Sequence, residues 1–115
     1  MNASALKIGL IGLGSMGKNH FRILSMLKEV DLVFISDLNA ETANSLAAAH
    51  GVPAVSDPFA ALDTVDAVVI CTPTETHADY IRRIGSSVRN IFVEKPLAAT
   101  VDEARIVKDF ADAND

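Results

Sequence analysis

The chain has 115 residues, half of them hydrophobic and 22% charged, with a formal net charge of -5. That length suits one domain with a core of its own, and that balance excludes a disordered chain. The acidic charge, with Lys and Arg scattered, excludes a long-range pull towards nucleic acid or an anionic membrane surface. No apolar run approaches the roughly 20 residues that span a bilayer. The opening Met1-Asn2-Ala3-Ser4-Ala5 lacks the basic stretch and long apolar run of a signal peptide. Cys71 is the one cysteine and has no internal disulfide partner. It is expected as a buried thiol in a reducing, cytoplasmic compartment.

Strand and helix patterns alternate along the chain. Residues 8–11 are a short apolar run ending in glycine, as a buried strand does. Residues 15–28 then carry Gly17, Phe21, Leu24 and Leu27 at helical spacing. Residues 32–35 form a second β-rich run. Asn39 is placed to cap a helix with the stripe Ala43, Leu46 and Ala47, which ends at His50-Gly51. A short strand is expected at 52–55. Asp57-Pro58 follows as an N-cap with proline in the first helical position, anchored by Phe59 and Leu62. Residues 67–71 are continuously apolar, the mark of a parallel strand covered on both faces. A helix with Ile81 and Ile84 facing inward starts at Thr74 or Thr76, and residues 91–93 are a fifth strand. Thr100-Val101-Asp102-Glu103 is a capping box, with Ala104, Val107, Phe110 and Ala111 as the stripe behind it. About five strands alternating with helices predict one α/β domain over 1–115: a doubly wound parallel sheet with helices on both faces. Such sheets bind ligands at the carboxyl ends of their strands, where the strand order reverses.

Gly12-Leu13-Gly14-Ser15-Met16-Gly17 follows the first strand and opens the first helix, the context in which the spacing Gly-x-Gly-x-x-Gly reads as a dinucleotide-binding, Rossmann-like turn. Gly12 permits the tight turn, Gly14 lets a pyrophosphate approach the backbone, and Gly17 lets the helix pack close. Ser15 and Met16 supply first-turn N–H groups that, with the helix dipole, form an anion site. Asp37 ends the second strand 20 residues after Gly17, where a carboxylate can accept hydrogen bonds from ribose hydroxyls and repel a 2′-phosphate. Neither Leu38 nor Asn39 offers a cation for such a phosphate. NAD is therefore favoured over NADP. The plain alternative for Asp37 is a turn aspartate, which Asn39 as the better helix cap weakens.

Cys71-Thr72-Pro73-Thr74-Glu75-Thr76-His77 follows the fourth strand and Val93-Glu94-Lys95-Pro96-Leu97 the fifth. With the opening Gly12-to-His20 stretch, these resemble the Gfo/Idh/MocA oxidoreductases, and the resemblance runs through essentially the whole chain. It implies a nicotinamide-dependent enzyme that transfers a hydride to or from a sugar, inositol or related polyol. Lys95 matches the family lysine beside nicotinamide and substrate, where a cation favours a developing alkoxide. Glu94 either positions Lys95 or contacts the cofactor. Thr72 and Pro73 match the loop under the nicotinamide-side ribose and phosphates. His77 matches the histidine after that loop, with a packed helix residue on the face of Ile81 as an equal alternative. His20 reads as structural and Lys18 as a solvated first-turn lysine.

The resemblance also implies a sixth strand and a second, substrate-binding domain that carries the family's acid/base histidine and usually packs into oligomers. None of these has a counterpart in residues 1–115. The expectation is therefore a truncated domain that binds cofactor without turnover, with homo-oligomer formation and no metal. An alternative from a different class is a non-catalytic NAD-binding module used for sensing or assembly. Another is a related oxidoreductase of the homoserine dehydrogenase or biliverdin reductase kind.

Overall fold

The computed structural model describes residues 5–88 and 90–93. Four parallel strands form one sheet: β1 (Leu6–Ile11), β2 (Val30–Ser36), β3 (Ala67–Ile70) and β4 (Asn90–Val93), in the order β2-β1-β3-β4. Helix α1 (Ser15–Met26) joins β1 to β2, α2 (Ala40–His50) follows β2, and α3 (His77–Ile84) joins β3 to β4. The chain moves outward from β1 to β2, then returns to the other side of β1 for β3. The order thus reverses at β1, and the doubly wound arrangement follows.

The strand count is four among the described residues, not five. The segment expected as a strand at 52–55 makes a single parallel bridge, Ile35 to Ala54, on the outer side of β2. Ile35 N donates to Pro53 O (3.0 Å) and Val55 N to Ile35 O (2.9 Å). Pro53 has no N–H with which to extend a ladder. The chain then enters a 3-10 helix, Pro58–Thr64, whose N-cap Asp57 accepts from Phe59 N at 3.1 Å.

Alternation along the strands, interrupted in β2 where the pairing with β1 skips Val33, divides the core into two layers. On one face Leu10, Leu32, Ile35 and Val69 pack with Phe21 of α1 and Ala43 of α2. On the other, Phe34, Val68 and Ile70 pack with Leu62 of the 3-10 helix and with Ile81 and Ile84 of α3. The apolar run at 67–71 is covered on both faces, as expected. Strand β3 stops at Ile70, however, and Cys71 is half-buried at the sheet edge rather than enclosed.

Two boundaries moved. Helix α1 ends at Met26, and Leu27 is extended (φ -82°, ψ 128°) and largely exposed. The cause is β2, which starts at Val30 rather than 32 and forces the chain to turn over residues 27–29. The caps of α2 stand as expected: Asn39 accepts from Thr42 N at 3.2 Å and Gly51 takes a left-handed φ of 70°. The capping box at 100–103 and its stripe lie outside the described residues.

Gly9 reads as an ordinary strand residue in the sequence. The β1–β2 register shifts between Ile8 and Gly9, and a Cβ on Gly9 would overlap the ring of Phe34, which is 1% exposed. Gly9→Ala should destabilise the fold by about 1–3 kcal/mol, the usual cost of overpacking. In a double-mutant cycle read by urea unfolding, Phe34→Leu should remove much of that penalty. Additive penalties would show that the ring does not constrain residue 9.

Candidate functional site

The carboxyl ends of β1, β2 and β3 converge on a cleft of about 930 Å3. Gly12 to Met16, Ser36 to Leu38 and Cys71 to Pro73 line it, from the three loops that leave these strands. Residues 54–59, with Tyr80 and Arg83 of α3, line it as well.

Three glycines give the first loop its shape, each for a separate reason. Gly12 has φ 99°, and a Cβ there would lie 2.6–2.7 Å from the Cys71 carbonyl and the Thr72 nitrogen. The turn thus lies directly against the β3 loop, to which Ile11 O is already tied by Cys71 N (2.7 Å). Gly17 is buried in the first turn of α1, and a Cβ on it would overlap the Gly12 carbonyl oxygen. The helix therefore begins hard against the turn. Gly14 faces open space, with no heavy atom within 4 Å of its Cβ position. It is the N-cap of α1 and makes no side-chain cap, so no side chain competes for the first-turn N–H groups. Ser15 and Met16 are exposed beside it on the cleft wall.

Asp37 is held by backbone. Its Oδ2 accepts from Leu13 N (2.5 Å) and its Oδ1 from Asn39 N (2.7 Å). One carboxylate thus ties the end of β2 to the glycine turn, while Asn39 caps α2. The turn role read from the sequence is seen in these two bonds, and Asp37 also lines the cleft.

Thr72 and Pro73 lie in the β3 loop and line the cleft. Thr76 Oγ1 bonds Thr72 Oγ1 (2.6 Å) and donates to Pro73 O (2.5 Å) in alternative orientations of its one proton. His77 starts α3, is 1% exposed, and its Nε2–H donates to Thr72 O at 2.9 Å. It does not line the cleft; it fixes the loop that does. His20 meets Phe92 edge-on at 5.8 Å and is not among the cleft residues. Lys18 is exposed and is not among them either. Glu94, Lys95 and Pro96 lie outside the described residues.

Nothing in the sequence joins Phe59 to the helix that carries Tyr80 and Arg83. Phe59, expected as a helix anchor, is half-buried and stacks on Tyr80 at 5.5 Å and 23°. The Arg83 guanidinium lies 3.9 Å over the Phe59 ring. Burial pushes the Tyr80 hydroxyl above its ordinary pKa; the positive charge of Arg83 opposes this, and Asp37 and Asp79 add to it. The signal available in the sequence was the i, i+3 spacing of His77, Tyr80 and Arg83. A helix stripe of mixed chemistry reads as surface until its neighbour is known.

A sheet reversing at β1, a glycine turn opening α1 and an acid at the end of β2 together define a dinucleotide-binding Rossmann domain. The family described as "Oxidoreductase family, NAD-binding Rossmann fold" matches residues 6–115. The chain belongs to this family, the Gfo/Idh/MocA oxidoreductases. It is 38% identical to an inositol 2-dehydrogenase of Rhizobium meliloti over 87% of this chain and 31% of that one. It is 28% identical to a glucose-6-phosphate 3-dehydrogenase of Bacillus subtilis over 92% of this chain and 30% of that one. Among solved structures, myo-inositol 2-dehydrogenase from Lactobacillus plantarum superposes with a TM-score of 0.86 at 26% identity, over 96% of this chain and 34% of that one. The chain thus spans about a third of the length of the relatives it matches.

Gly17→Ala should destabilise the domain by about 1–3 kcal/mol, because α1 must move off the Gly12 carbonyl. It should also weaken cofactor binding about tenfold or more by displacing the turn, while Gly14→Ala leaves stability within about 0.5 kcal/mol. Thermal unfolding and cofactor titration of both variants check this. Equal stability losses at the two glycines would contradict the distinct roles.

Proposed function

We propose that the cleft binds NAD in preference to NADP, as the cofactor half of an enzyme that moves a hydride between nicotinamide and a sugar, inositol or related polyol. The observation that carries this is the Asp37 carboxylate, tied to the glycine turn yet lining the cleft. The open Gly14 and the uncapped start of α1 fit a pyrophosphate. Each Asp37 oxygen keeps a lone pair beyond the backbone bond it accepts, which fits ribose hydroxyls. The polyol class rests on the names of the relatives.

When bound, the nicotinamide supplies the hydride acceptor or donor. The chain's own residues orient it. Gly12, Gly14, Ser15, Met16 and Gly17 take the pyrophosphate, Asp37 the adenosine ribose, and Thr72 and Pro73 the nicotinamide side. His77 acts through its bond to Thr72. Val93, the last residue of β4, pairs with Ile70 at the carboxyl edge of the sheet. Lys95 is proposed to hold a substrate hydroxyl and favour the alkoxide, with Glu94 positioning it. The chain spans about a third of the length of its relatives, and cofactor binding without turnover is expected of residues 1–115 alone. A cytoplasmic location and a homo-oligomeric parent enzyme belong to the same proposal. Among the described residues, no helix is long and apolar enough to cross a membrane.

Isothermal titration of the 115-residue chain should show NAD binding more tightly than NADP, with no NADH formed on adding myo-inositol or glucose. Asp37→Asn should weaken NAD about tenfold and narrow the gap to NADP, since a charge-assisted acceptor is lost. No heat with either dinucleotide would overturn the assignment.

A further inference from the structure

The cleft carries a positive charge that the phosphate turn does not use. Among the described residues, Arg83 is the only basic residue lining it; the acids are Asp37 and Asp57. Arg83 is not a loosely solvated side chain. Its guanidinium is set 3.9 Å over Phe59, which itself stacks on Tyr80. Its ion pair with Asp79, 3.9 Å between Nη1 and Oδ2, joins two groups that are each more than half exposed. Such a pair is weak and leaves the guanidinium donors available.

We propose that Arg83, with the Tyr80 hydroxyl beside it, is a specificity-determining residue that admits a 2′-phosphate to the adenosine end of the cleft, so that NADP is a second, weaker cofactor. This deepens the reading of the cleft as a dinucleotide site and rests on it. Asp37 and Leu38 mark the adenosine end, since they leave β2 where the ribose hydroxyls are to be held. Asp37, Leu38, Tyr80 and Arg83 line the same cleft. Tyr80 lines the cleft beside Arg83 and brings a hydroxyl that can donate to a phosphate oxygen. Both oxygens of Asp37 already accept backbone N–H bonds, which spreads its charge into the turn and softens its repulsion of a nearby phosphate. An arginine fork matches phosphate geometry, and its stack on an aromatic ring fixes it before the ligand arrives.

The test titrates the wild-type chain, Arg83→Ala and Arg83→Gln with NAD and with NADP, and reads the ratio of the two dissociation constants. The wild type should bind both, NADP more weakly. The ratio of the NADP to the NAD constant should rise about tenfold in Arg83→Ala, the worth of one charge-assisted contact. Arg83→Gln keeps a polar stem without the charge and should move the ratio the same way, which decides the matter if the alanine variant does not fold. A ratio unchanged within about twofold in the folded variants would overturn the role of Arg83 while leaving the dinucleotide site standing. So would wild type that binds NAD and not NADP. Wild type that binds neither would overturn the dinucleotide reading itself.

Discussion

The site depends on how closely three backbones approach one another. The turn after β1 lies against the loop after β3, and α1 starts against that turn. A side chain at Gly12 or Gly17 would have to occupy space already filled by the Cys71–Thr72 backbone or by the Gly12 carbonyl. Close approach brings the start of α1, with its outward N–H groups, to the sheet edge where the strand order reverses. Asp37 completes the arrangement by tying the end of β2 to the same turn through Leu13 N. The cleft is what these contacts leave open, with Gly14 facing into unfilled space.

Most of this was legible in the sequence, because the turn is specified locally. Glycine spacing, a preceding apolar run and a following helical stripe are all read within about a dozen residues. The same holds for the caps of α2 and for the continuous apolar run of β3. What escaped was set by contacts far apart in the chain. Gly9 looks like any strand residue until Phe34 from β2 is laid over it. Residues 52–55 have the composition of a strand, yet Pro53 and the turn into the 3-10 helix limit them to one bridge on β2. Helix α1 stops early because β2 starts early. Cys71 is less enclosed than its apolar run implies, since β3 ends one residue before it.

The candidate site divides in the same way. Spacing pointed to the glycine turn and Asp37, family resemblance to the loop at Thr72 and Pro73, and all of them line the one cleft. The wall built by Phe59, Tyr80 and Arg83 joins two segments more than 20 residues apart, and nothing in either announces the other. His77 illustrates a third case. The sequence leaves two roles open; in the fold it is buried and bonds Thr72 O in the loop that lines the cleft.

Family membership names the chemistry of the relatives, and the geometry shows which part of that chemistry these residues can hold. Among the described residues they present a glycine turn with an uncapped helix start, a carboxylate at the end of β2 and a wall with one basic side chain. The most direct test of this account is to follow the backbone amides of the isotope-labelled chain by NMR as NAD is added. The largest shifts are predicted at Leu13 to Gly17 and at Asn39, with smaller ones at Thr72 and Tyr80. Saturable shifts confined to other surfaces, with the 13–17 amides unmoved, would contradict it.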